Sequence, residues 1–533
     1  MATHCTDVVD YRWPMTDIDR MRRFFYLGCE SGTFYGDTQR QPSASRTDSL
    51  EKLLLTDRGE ELIAVLSETG LNHLILKRDL ALSVYVQCAR HPSTALRQAS
   101  YSQFDNIIKN SQDLLHFVAL VDSYDPSHGT GWGRGLRRAV TNWFNNKDPV
   151  HLARLTTQQR RIMKKRWDHR DVLRLAHVKP KKNGTAVVLK YLVKGIAEAK
   201  SAYSEDELND EIKEVKAFLE AVEEVGKSED EQRVAALVGE HKLLLEHVNS
   251  RWHKSKEVWS MLVQHLPLKD IILSLGRLTH QGLFASDDGE TSTLCDRLNS
   301  DEELRAAQLH PYDLLQAMKS YRAKKSNRGD KVKFKWSPNK TIVETLDKAL
   351  LMSFKFIQPT AKKLLLAIDV SSSMKLSGVN GSPGVTAMEA VALLTMQVVR
   401  TEKEFRIMAF SKNLENIDVT SEMTLEETRA KIGELPMGNT NVSYPLKWAL
   451  ENKVSADIFM IFTDCETSFE ETSPSQALRE YRKGMNLDAK LVVIALASNG
   501  FEVADPGDSG MLDIAGFNTN GPEILRKFAT GEL

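Results

Sequence analysis

Apolar residues recur at positions i, i+3, i+4 and i+7 through most of the chain before residue 355, the period of an α-helix with one buried face. Segments of about 10–16 residues carry this pattern between short turns; the clearest are EELIAVLSETG, LALSVYVQCARH, SQDLLHFVALVDSY, EQRVAALVGEHKLLLEHV, KEVWSMLVQHLP and LKDIILSLGRLTHQGLF. Gly70, which ends the first segment, is the expected C-cap of its helix. Serial helices predict an α-solenoid of antiparallel pairs, with a helical bundle as the alternative because no repeat has a fixed period.

Beyond residue 355, continuously apolar β-type runs alternate with helical segments. We expect strands at residues 363–369, 404–410, 457–464 and 490–496, and helices at residues 385–401, 424–435, 443–452, 475–484 and 522–530. This alternation is typical of a parallel sheet covered on both faces. The chain is therefore predicted to contain a helical-repeat domain over residues 1–355 and a doubly wound α/β domain over residues 356–533. Ligands of the second domain should lie beyond the carboxyl ends of its strands.

Side-chain oxygens gather at that end of the predicted sheet. Asp369, Ser371 and Ser373 occupy alternate positions after the strand in LLLAIDVSSSM, Thr440 lies in the Gly/Asn loop GNTNV, and Asp464 closes the strand DIFMIFTD. Oxygen donors without Cys or His suit Mg²⁺, Ca²⁺ or Mn²⁺. Five side chains leave a coordination position for a water or for a carboxylate from a partner. The alternative is that these oxygens only cap loops and helix N-termini.

The order of these residues resembles the metal-ion-dependent adhesion site of von Willebrand factor A domains. In both, a DxSxS motif precedes a Thr in a Gly/Asn-flanked loop and an Asp after an apolar strand, here within residues 356–533. The resemblance implies a bound divalent ion, with Mg²⁺ expected, and a protein partner that offers an acidic group to it. The Gly-containing loop KLSGVNGSPG, residues 375–384, is expected to reshape the site.

Two enzyme classes are excluded because their sequence motifs are missing. Aspartyl phosphatases need a second Asp two residues after the nucleophile, and Ser371 stands there after Asp369. No GxxxxGK[ST] motif for a P-loop occurs in the chain. Because no pair of nucleophile and base emerges, we expect a binding protein without catalytic activity.

Charge is strongly segregated although the net charge is only −1. Residues 134–194 contain 17 Lys/Arg and 3 Asp/Glu, a balance of +14, and the acidic stretch 204–225 follows. A second basic stretch, residues 319–340, contains 9 Lys/Arg and 1 Asp, a balance of +8. The first stretch predicts a nucleic-acid partner, with a solvated helical face as the alternative. For the second, nucleic-acid contact and a solvated linker remain equally open.

Helical spacing arranges part of the first basic stretch. Arg170, Arg174 and His177 fall at i, i+4 and i+7 on one face of a predicted helix, and Val172, Leu175 and Ala176 lie on the other. Guanidinium groups suit bidentate phosphate contacts, and a histidine beside them can stack on an unpaired base. The candidate nucleic-acid-binding residues are Arg134, Arg137, Arg138, Arg160, Lys164, Lys165, Arg170, Arg174, His177 and Lys179.

Several helical segments resemble the TROVE module of the Ro autoantigen family: MRRFFYLGCESGTFY, GWGRGLRRAV, DVLRLAHVKP, HKSKEVWSMLVQHLPLKDIILSLGRLT and LHPYDLLQAMKSY. That family joins a HEAT-like helical-repeat ring to a C-terminal von Willebrand A domain, so the resemblance covers nearly the whole chain. It implies that Y RNA binds the outer surface of the ring, where Arg160, Lys164 and His177 occupy matching places. It also implies that the ends of misfolded non-coding RNAs enter a central hole, and that the protein acts in RNA quality control and Y RNA stabilisation.

Composition sets the expected environment. The five cysteines are scattered and include no CxxC motif, which favours a reducing compartment: the cytoplasm, with the nucleus as a further location. The N-terminal residues do not read as a signal peptide, and no apolar run of about 18 residues predicts a membrane span.

Overall fold

The computed structural model describes residues 11–30, 32–37, 48–75, 77–124, 132–158, 167–204, 207–328, 331–410, 414–434, 441–464, 472–498, 500 and 503–533. These residues fall into two compact units. The helical unit comprises the described parts of Asp48–Ile271 and Leu278–Leu294, and the sheet unit comprises the remainder.

The sheet unit begins with helix α1 (Asp17–Leu27), and the helical unit follows it along the chain. The helices from there to residue 298 are α2 (Asp48–Leu55), α3 (Gly59–Thr69), α4 (Arg78–Arg90), α5 (Thr94–Ser102), α6 (Phe104–Ile107), α7 (Ser111–Ser123), α8 (Arg134–Asn145), α9 (Pro149–Thr157), α10 (His169–Ala176), α11 (Asn183–Lys194), α12 (Ile196–Lys200), α13 (Asp210–Lys227), α14 (Glu231–Glu240), α15 (Lys256–Leu262), α16 (Leu268–Ile272), α17 (Leu275–His280) and α18 (Gly289–Leu298). Near neighbours in sequence pack on one another, as α4 does on α5 and α7, and α13 on α9, α11 and α14. The described part of this unit contains no strand, which agrees with the predicted helical-repeat architecture.

Local chemistry sets the helix ends. Gly70 is the C-cap of α3 with a φ of 51°, as its sequence position predicts. The predicted helix over residues 231–248 was too long: α14 ends at Glu240, because Lys242 takes a left-handed φ of 47° and the amide of Leu243 turns back to the carbonyl of Val238. The predicted helix over residues 268–284 is likewise two short helices, α16 and α17.

The sheet unit contains a seven-stranded sheet in the order β1-β9-β8-β7-β4-β5-β6. Its strands are β1 (Thr33–Tyr35), β4 (Leu364–Asp369), β5 (Phe405–Phe410), β6 (Leu414–Asn416), β7 (Ile458–Thr463), β8 (Lys490–Ala495) and β9 (Met511–Ala515). All neighbours are parallel except β5 and β6. The four predicted strands and the doubly wound α/β architecture are confirmed.

Helices and a separate hairpin complete the sheet unit. The hairpin consists of β2 (Lys325–Arg328) and β3 (Lys331–Lys335). The remaining helices are α19 (Asp301–Ala306), α20 (Pro311–Arg322), α21 (Lys340–Ser353), α22 (Ser372–Leu376), α23 (Ala387–Thr401), α24 (Leu425–Gly433), α25 (Tyr444–Glu451), α26 (Pro474–Met485) and α27 (Gly521–Thr530). The sheet unit therefore reaches outside the predicted domain of residues 356–533, since β1, β2, β3 and α19 to α21 belong to it.

No described helix has both the length and the apolar character needed to cross a membrane. The cysteines at positions 29, 88 and 295 are reduced and form no disulfide within the described residues, and burial raises the pKa of Cys88 to about 12. Cys88 is therefore a buried, protonated thiol that packs as an apolar group.

Candidate functional site

Helix α10 carries the centre of the predicted basic face. Asp168 caps its N-terminus and forms a reciprocal capping box with Asp171. Val172, Leu173 and Ala176 are buried in the helical unit. Leu173 thus takes the inward position that the spacing had assigned to Leu175, which is only partly buried.

The opposite face of α10 is exposed and cationic. Arg170 and Arg174 lie one helical turn apart and both are exposed. His177 ends the helix as its C-cap, in the left-handed region with φ 51° and ψ 47°, and its amide donates to the carbonyl of Leu173. This conformation places an exposed imidazole at the end of the row that the two guanidinium groups begin.

The chain beyond His177 continues the basic surface and is held in place by a buried amide. Asn145, at the end of α8, donates from Nδ2 to the carbonyl of Lys179 at 3.0 Å and accepts from the amide of Lys181 at 2.7 Å. The Asn145 side chain is only 4% exposed, whereas Lys179, Lys181 and Lys182 are exposed. Asn145 is therefore a positioning residue for the basic turn, and no charge or periodic pattern in the sequence marks it.

The first turns of α8 contribute a second set of arginines. Arg134 and Arg138 are exposed, whereas Arg137 is partly buried and its Nε has no hydrogen-bond partner among the described residues. Gly135 permits the packing here, since a Cβ at that position would lie 2.7 Å from the ring of Tyr101. The glycine next to Arg134 thus serves helix packing, while the exposed guanidinium groups stay accessible.

These cations have no acidic partner among the residues that the structure describes. Within the described ranges, no carboxylate oxygen lies within 4.0 Å of the charged nitrogens of Arg134, Arg138, Arg170, Arg174 or Lys179. Other arginines of the same unit are paired, including Arg58 with Glu61, Arg78 with Asp113 and Arg233 with Glu224. The predicted residues Arg160, Lys164 and Lys165 lie outside the described residues.

An open cleft of about 520 Å³ lies beside Arg170. Tyr191 lines it and donates from its hydroxyl to a carboxylate oxygen of Glu223 at 2.8 Å. Burial and this hydrogen bond raise the pKa of Tyr191 above its ordinary value, so the phenol stays a neutral donor. The cleft thus brings an aromatic ring and a hydrogen-bond acceptor close to a predicted phosphate contact.

In the sheet unit, the predicted metal ligands lie at the carboxyl ends of β4 and β7. Asp369 ends β4 and is 1% exposed, and Asp464 directly follows β7 and is 2% exposed. The Asp369 carboxylate accepts from the amide of Ser371 at 2.7 Å and from the hydroxyl of Thr463 at 3.0 Å. The hydroxyls of Ser371 and Ser373 are 3.0 Å apart. The structure therefore brings Asp369, Ser371 and Ser373 together as predicted, while Thr440 lies outside the described residues.

The electrostatics of this site suit a cation. Burial, together with the neighbouring negative charge of Asp464, raises the pKa of Asp369 above its ordinary value. Two buried carboxylates and two hydroxyls provide only oxygen donors, the set that Mg²⁺, Mn²⁺ and Ca²⁺ prefer. Among the described residues, no group of three or more His, Cys, Asp or Glu side chains that could hold a metal occurs, here or at any other place, so the candidate site depends on hydroxyl ligands beside its two carboxylates.

The loop that follows the DxSxS motif, residues 375–384, is held by hydrogen bonds to segments that follow neighbouring strands. Asn380 donates from Nδ2 to the carbonyls of Ala497 and Ser498, and its own carbonyl accepts from the amide of Phe517. Ser382 is buried and donates from its hydroxyl to the carbonyl of Phe517. These bonds tie the loop to the segments after β8 and β9, so it borders the carboxyl edge of the sheet as a defined structure.

Known proteins share both parts of this architecture. The chain matches the model of the TROVE domain over residues 7–329 and that of the Ro60 von Willebrand A domain over residues 363–529. It is 30% identical over 523 residues to the RNA-binding protein RO60 of Deinococcus radiodurans, covering 98% of this chain and 94% of that protein. It is 28% identical over 596 residues to the RNA-binding protein RO60 of Caenorhabditis elegans, covering 98% and 89% respectively.

A solved structure agrees with these matches. The crystal structure of the Deinococcus radiodurans RO (RSR) protein superposes with a TM-score of 0.82 at 29% identity, covering 97% of this chain and 100% of that chain. The predicted boundary at residue 355 falls between the two matched ranges. This chain, which joins a TROVE domain to a Ro60-type von Willebrand A domain, belongs to the Ro60 family.

Proposed function

We propose that this protein binds small non-coding RNAs of the Y RNA class and misfolded non-coding RNAs, and that it acts in RNA quality control and Y RNA stabilisation without catalysing a reaction on the RNA. The observation that carries the proposal is the exposed row of Arg170, Arg174 and His177, whose arginines have no acidic partner among the described residues. The names of the Deinococcus and Caenorhabditis relatives, RNA-binding protein RO60, support an RNA ligand.

The geometry fits a folded RNA with an unpaired segment. The two guanidinium groups one turn apart suit bidentate contacts to successive phosphates. The His177 imidazole at the end of the row is free to stack on a base that is not paired. Lys179 and its exposed neighbours extend the positive surface, so that more of the RNA phosphate backbone can be contacted. The side-chain amide of Asn145 keeps the turn that carries these lysines in place.

An electrophoretic titration with three RNAs tests this function. The probes are a small stem–loop RNA with an internal bulge from the same organism, the same stem with a single-stranded 3′ tail, and a plain duplex as competitor. We expect the complexes of the protein with both structured probes to persist in a tenfold excess of duplex competitor. The affinity for these probes should fall steeply as the salt concentration rises, because phosphate contacts release counterions. If plain duplex competes as well as the structured probes do, the protein binds polyanions without specificity, and the proposal is wrong.

A second function is favoured by the two buried carboxylates at the carboxyl edge of the sheet. We propose that Asp369, Ser371, Ser373, Thr440 and Asp464 hold a divalent cation, with Mg²⁺ expected. The cation would supply a positive centre that accepts a carboxylate from an acidic protein partner. The burial of Asp369 and Asp464 next to each other supports a cation at this place, because two like charges in a buried site repel one another.

Magnesium is expected to raise the thermal midpoint of the wild-type protein. A ligand at 100 times its Kd stabilises the folded state by about 2.7 kcal/mol, and Asp464→Asn should lose this gain. In metal-free buffer, the same variant should be at least as stable as the wild type because one of two facing charges is removed. Differential scanning calorimetry with and without Mg²⁺ measures both effects. Asp418→Asn, at an exposed position, is the control, and an unchanged Mg²⁺ shift in Asp464→Asn would rule out the site.

A further inference from the structure

The cleft beside Arg170 is bordered by four helices of the helical unit. The end of α9, the first turn of α10, the end of α11 and the last turns of α13 contribute its lining. Its volume of about 520 Å³ lies within the range of roughly 300–1,000 Å³ that is usual for small-molecule sites. The cleft is therefore large enough for one nucleobase with its ribose.

Two buried hydroxyls in the cleft can only accept further hydrogen bonds. Thr156 donates from its hydroxyl to the carbonyl of Leu152 at 2.8 Å, and Thr157 donates to the carbonyl of Ala153 at 2.7 Å. A hydroxyl has a single proton to donate, so the oxygens of both threonines keep acceptor capacity alone. This side of the cleft thus offers hydrogen-bond acceptors to a ligand.

Tyr191 and Glu223 add further acceptors to the lining. The Tyr191 hydroxyl donates to Glu223 at 2.8 Å, so its oxygen too can only accept another bond. Burial alone would raise the pKa of Glu223, but hydrogen bonds from Lys227 and Tyr191 together lower it below its ordinary value. The carboxylate therefore stays ionised at neutral pH and accepts from any N–H group that enters the cleft.

The exposed part of the lining carries positive charge. Arg170 and Lys227 both line the cleft and are exposed. A free cationic amine would be repelled by these two groups, although its N–H groups suit the acceptors. A nucleotide whose base bears an amino group meets both conditions, because its phosphate is an anion and its base donates from N–H. Cytosine, adenine and guanine carry such an exocyclic amino group, and uracil does not.

Gly226 leaves one wall of the cleft open. It is the penultimate residue of α13 and lines the cleft, and a Cβ at this position would meet no described atom within 4 Å. Gly195, which also lines the cleft, has a φ of 87° that favours glycine, whereas Gly226 has ordinary helical backbone. Glycine weakens a helix relative to alanine, and among the described residues neither packing nor conformation requires it at position 226. The glycine preserves space that a side chain would fill.

We propose that this cleft binds one unpaired nucleobase with an exocyclic amino group, while Arg170 contacts a neighbouring phosphate. The inference rests on the proposed function, because it takes RNA as the ligand and adds a base-selective site to the phosphate contacts of α10. Uracil is disfavoured because its two carbonyls would face the acceptor oxygens of the cleft and leave them without donors. A base in a bulge or a single-stranded segment is the expected ligand, since it enters without breaking a base pair.

The test measures binding of the full chain to five stem–loop RNAs that differ only at a single bulged position. That position carries cytosine, adenine, guanine, uracil or an abasic ribose. We expect the best amino-bearing probe to bind at least about tenfold more tightly than the abasic probe, since one bound base adds stacking and hydrogen bonds. The uracil probe should bind at least about fivefold more weakly than the best amino-bearing probe.

Gly226→Leu should abolish this base preference, because the new side chain occupies the cleft. All five probes should then bind with about the affinity that the wild type has for the abasic probe, since the phosphate contacts of α10 remain. The thermal midpoint should stay the same or rise, because leucine favours a helix more than glycine does. Fluorescence anisotropy measures the affinities, and differential scanning calorimetry measures the midpoint.

Three further variants serve as controls. Gly289→Leu makes the same change at an exposed position of the helical unit, where a Cβ also meets no described atom, and should keep the full preference. Gly226→Ala adds one methyl group and should keep most of it. Glu223→Gln retains the size of the side chain and an acceptor for Tyr191, and should narrow the difference between the uracil and cytosine probes.

The outcomes separate this inference from the proposed function. Equal binding of all five probes by the wild type would overturn the inference, and so would uracil binding as tightly as the amino-bearing bases. A wild-type preference in Gly226→Leu would also overturn it, as would an equal loss of affinity for the abasic probe in that variant. The proposed function fails separately, if the wild type does not prefer structured RNA over plain duplex.

Discussion

Replacing Arg170 and Arg174 by Ala and His177 by Gly is expected to weaken binding of a structured small RNA by at least about 100-fold, since a specific arginine contact or a stacked base each contributes about 1–3 kcal/mol. The slope of log K against log salt should become shallower by about 2, one phosphate contact for each arginine. Glycine is the right replacement at position 177 because the residue has a φ of 51°, which alanine would adopt only with strain. Fluorescence anisotropy titrations at several salt concentrations measure both quantities.

A matched variant separates this surface from general charge. Lys213→Ala with Lys254→Ala removes the same two permanent positive charges from exposed positions elsewhere in the helical unit. It should bind RNA within about twofold of the wild type. All of the replaced side chains are exposed, so thermal midpoints should stay close to that of the wild type. Wild-type affinity in the α10 variant, or an equal loss in the lysine variant, would contradict the assignment of the RNA surface to α10.

Where one physical rule dominates a segment, the sequence predicts the structure well. The strands β4, β7 and β8 are continuously apolar because helices cover both faces of the sheet, and the apolar run alone locates them within one or two residues. The position of Asp369 is predictable in the same way, because it is the carboxylate residue that ends the apolar run of β4. The left-handed C-cap at Gly70 is equally local, since few other residues tolerate that conformation.

Prediction fails where partners are distant in sequence. Strand β1 has only three residues and exists because it pairs with β9, more than 470 positions away. Strand β9 contains Asp513, which interrupts the apolar pattern, and the carboxylate is buried only because it accepts from the amides of Val503 and Ala504. The role of Asn145 was equally unpredictable, since it depends on a turn that follows a different helix. Periodicity carries no information about any of these contacts.

Asp508→Ala is expected to destabilise the sheet unit by about 3–5 kcal/mol, because it leaves a buried guanidinium without its counter-charge. The side chains of Arg482 and Asp508 are 1% and 0% exposed and are joined by hydrogen bonds of 2.6 and 3.2 Å. Arg482 also donates to the carbonyls of Tyr11 and Ala489 and lies 4.3 Å from the centre of the Trp13 ring. One buried ion pair therefore holds the N-terminal segment, the start of β8 and the turn before β9 together.

Hydrogen exchange of the β8 and β9 amides, read by mass spectrometry, measures this loss as a lower free energy of opening. The double variant Arg482→Met with Asp508→Ala should recover much of it, since removing both charges leaves no uncompensated ion in the core. The recovery should be incomplete, because the carbonyls of Tyr11 and Ala489 lose their donor. The losses caused by Arg482→Met alone and by Asp508→Ala alone are compared with the loss in the double variant. If the loss in the double variant equals their sum, the pair is not coupled, and the buried charge of Arg482 must be neutralised in some other way.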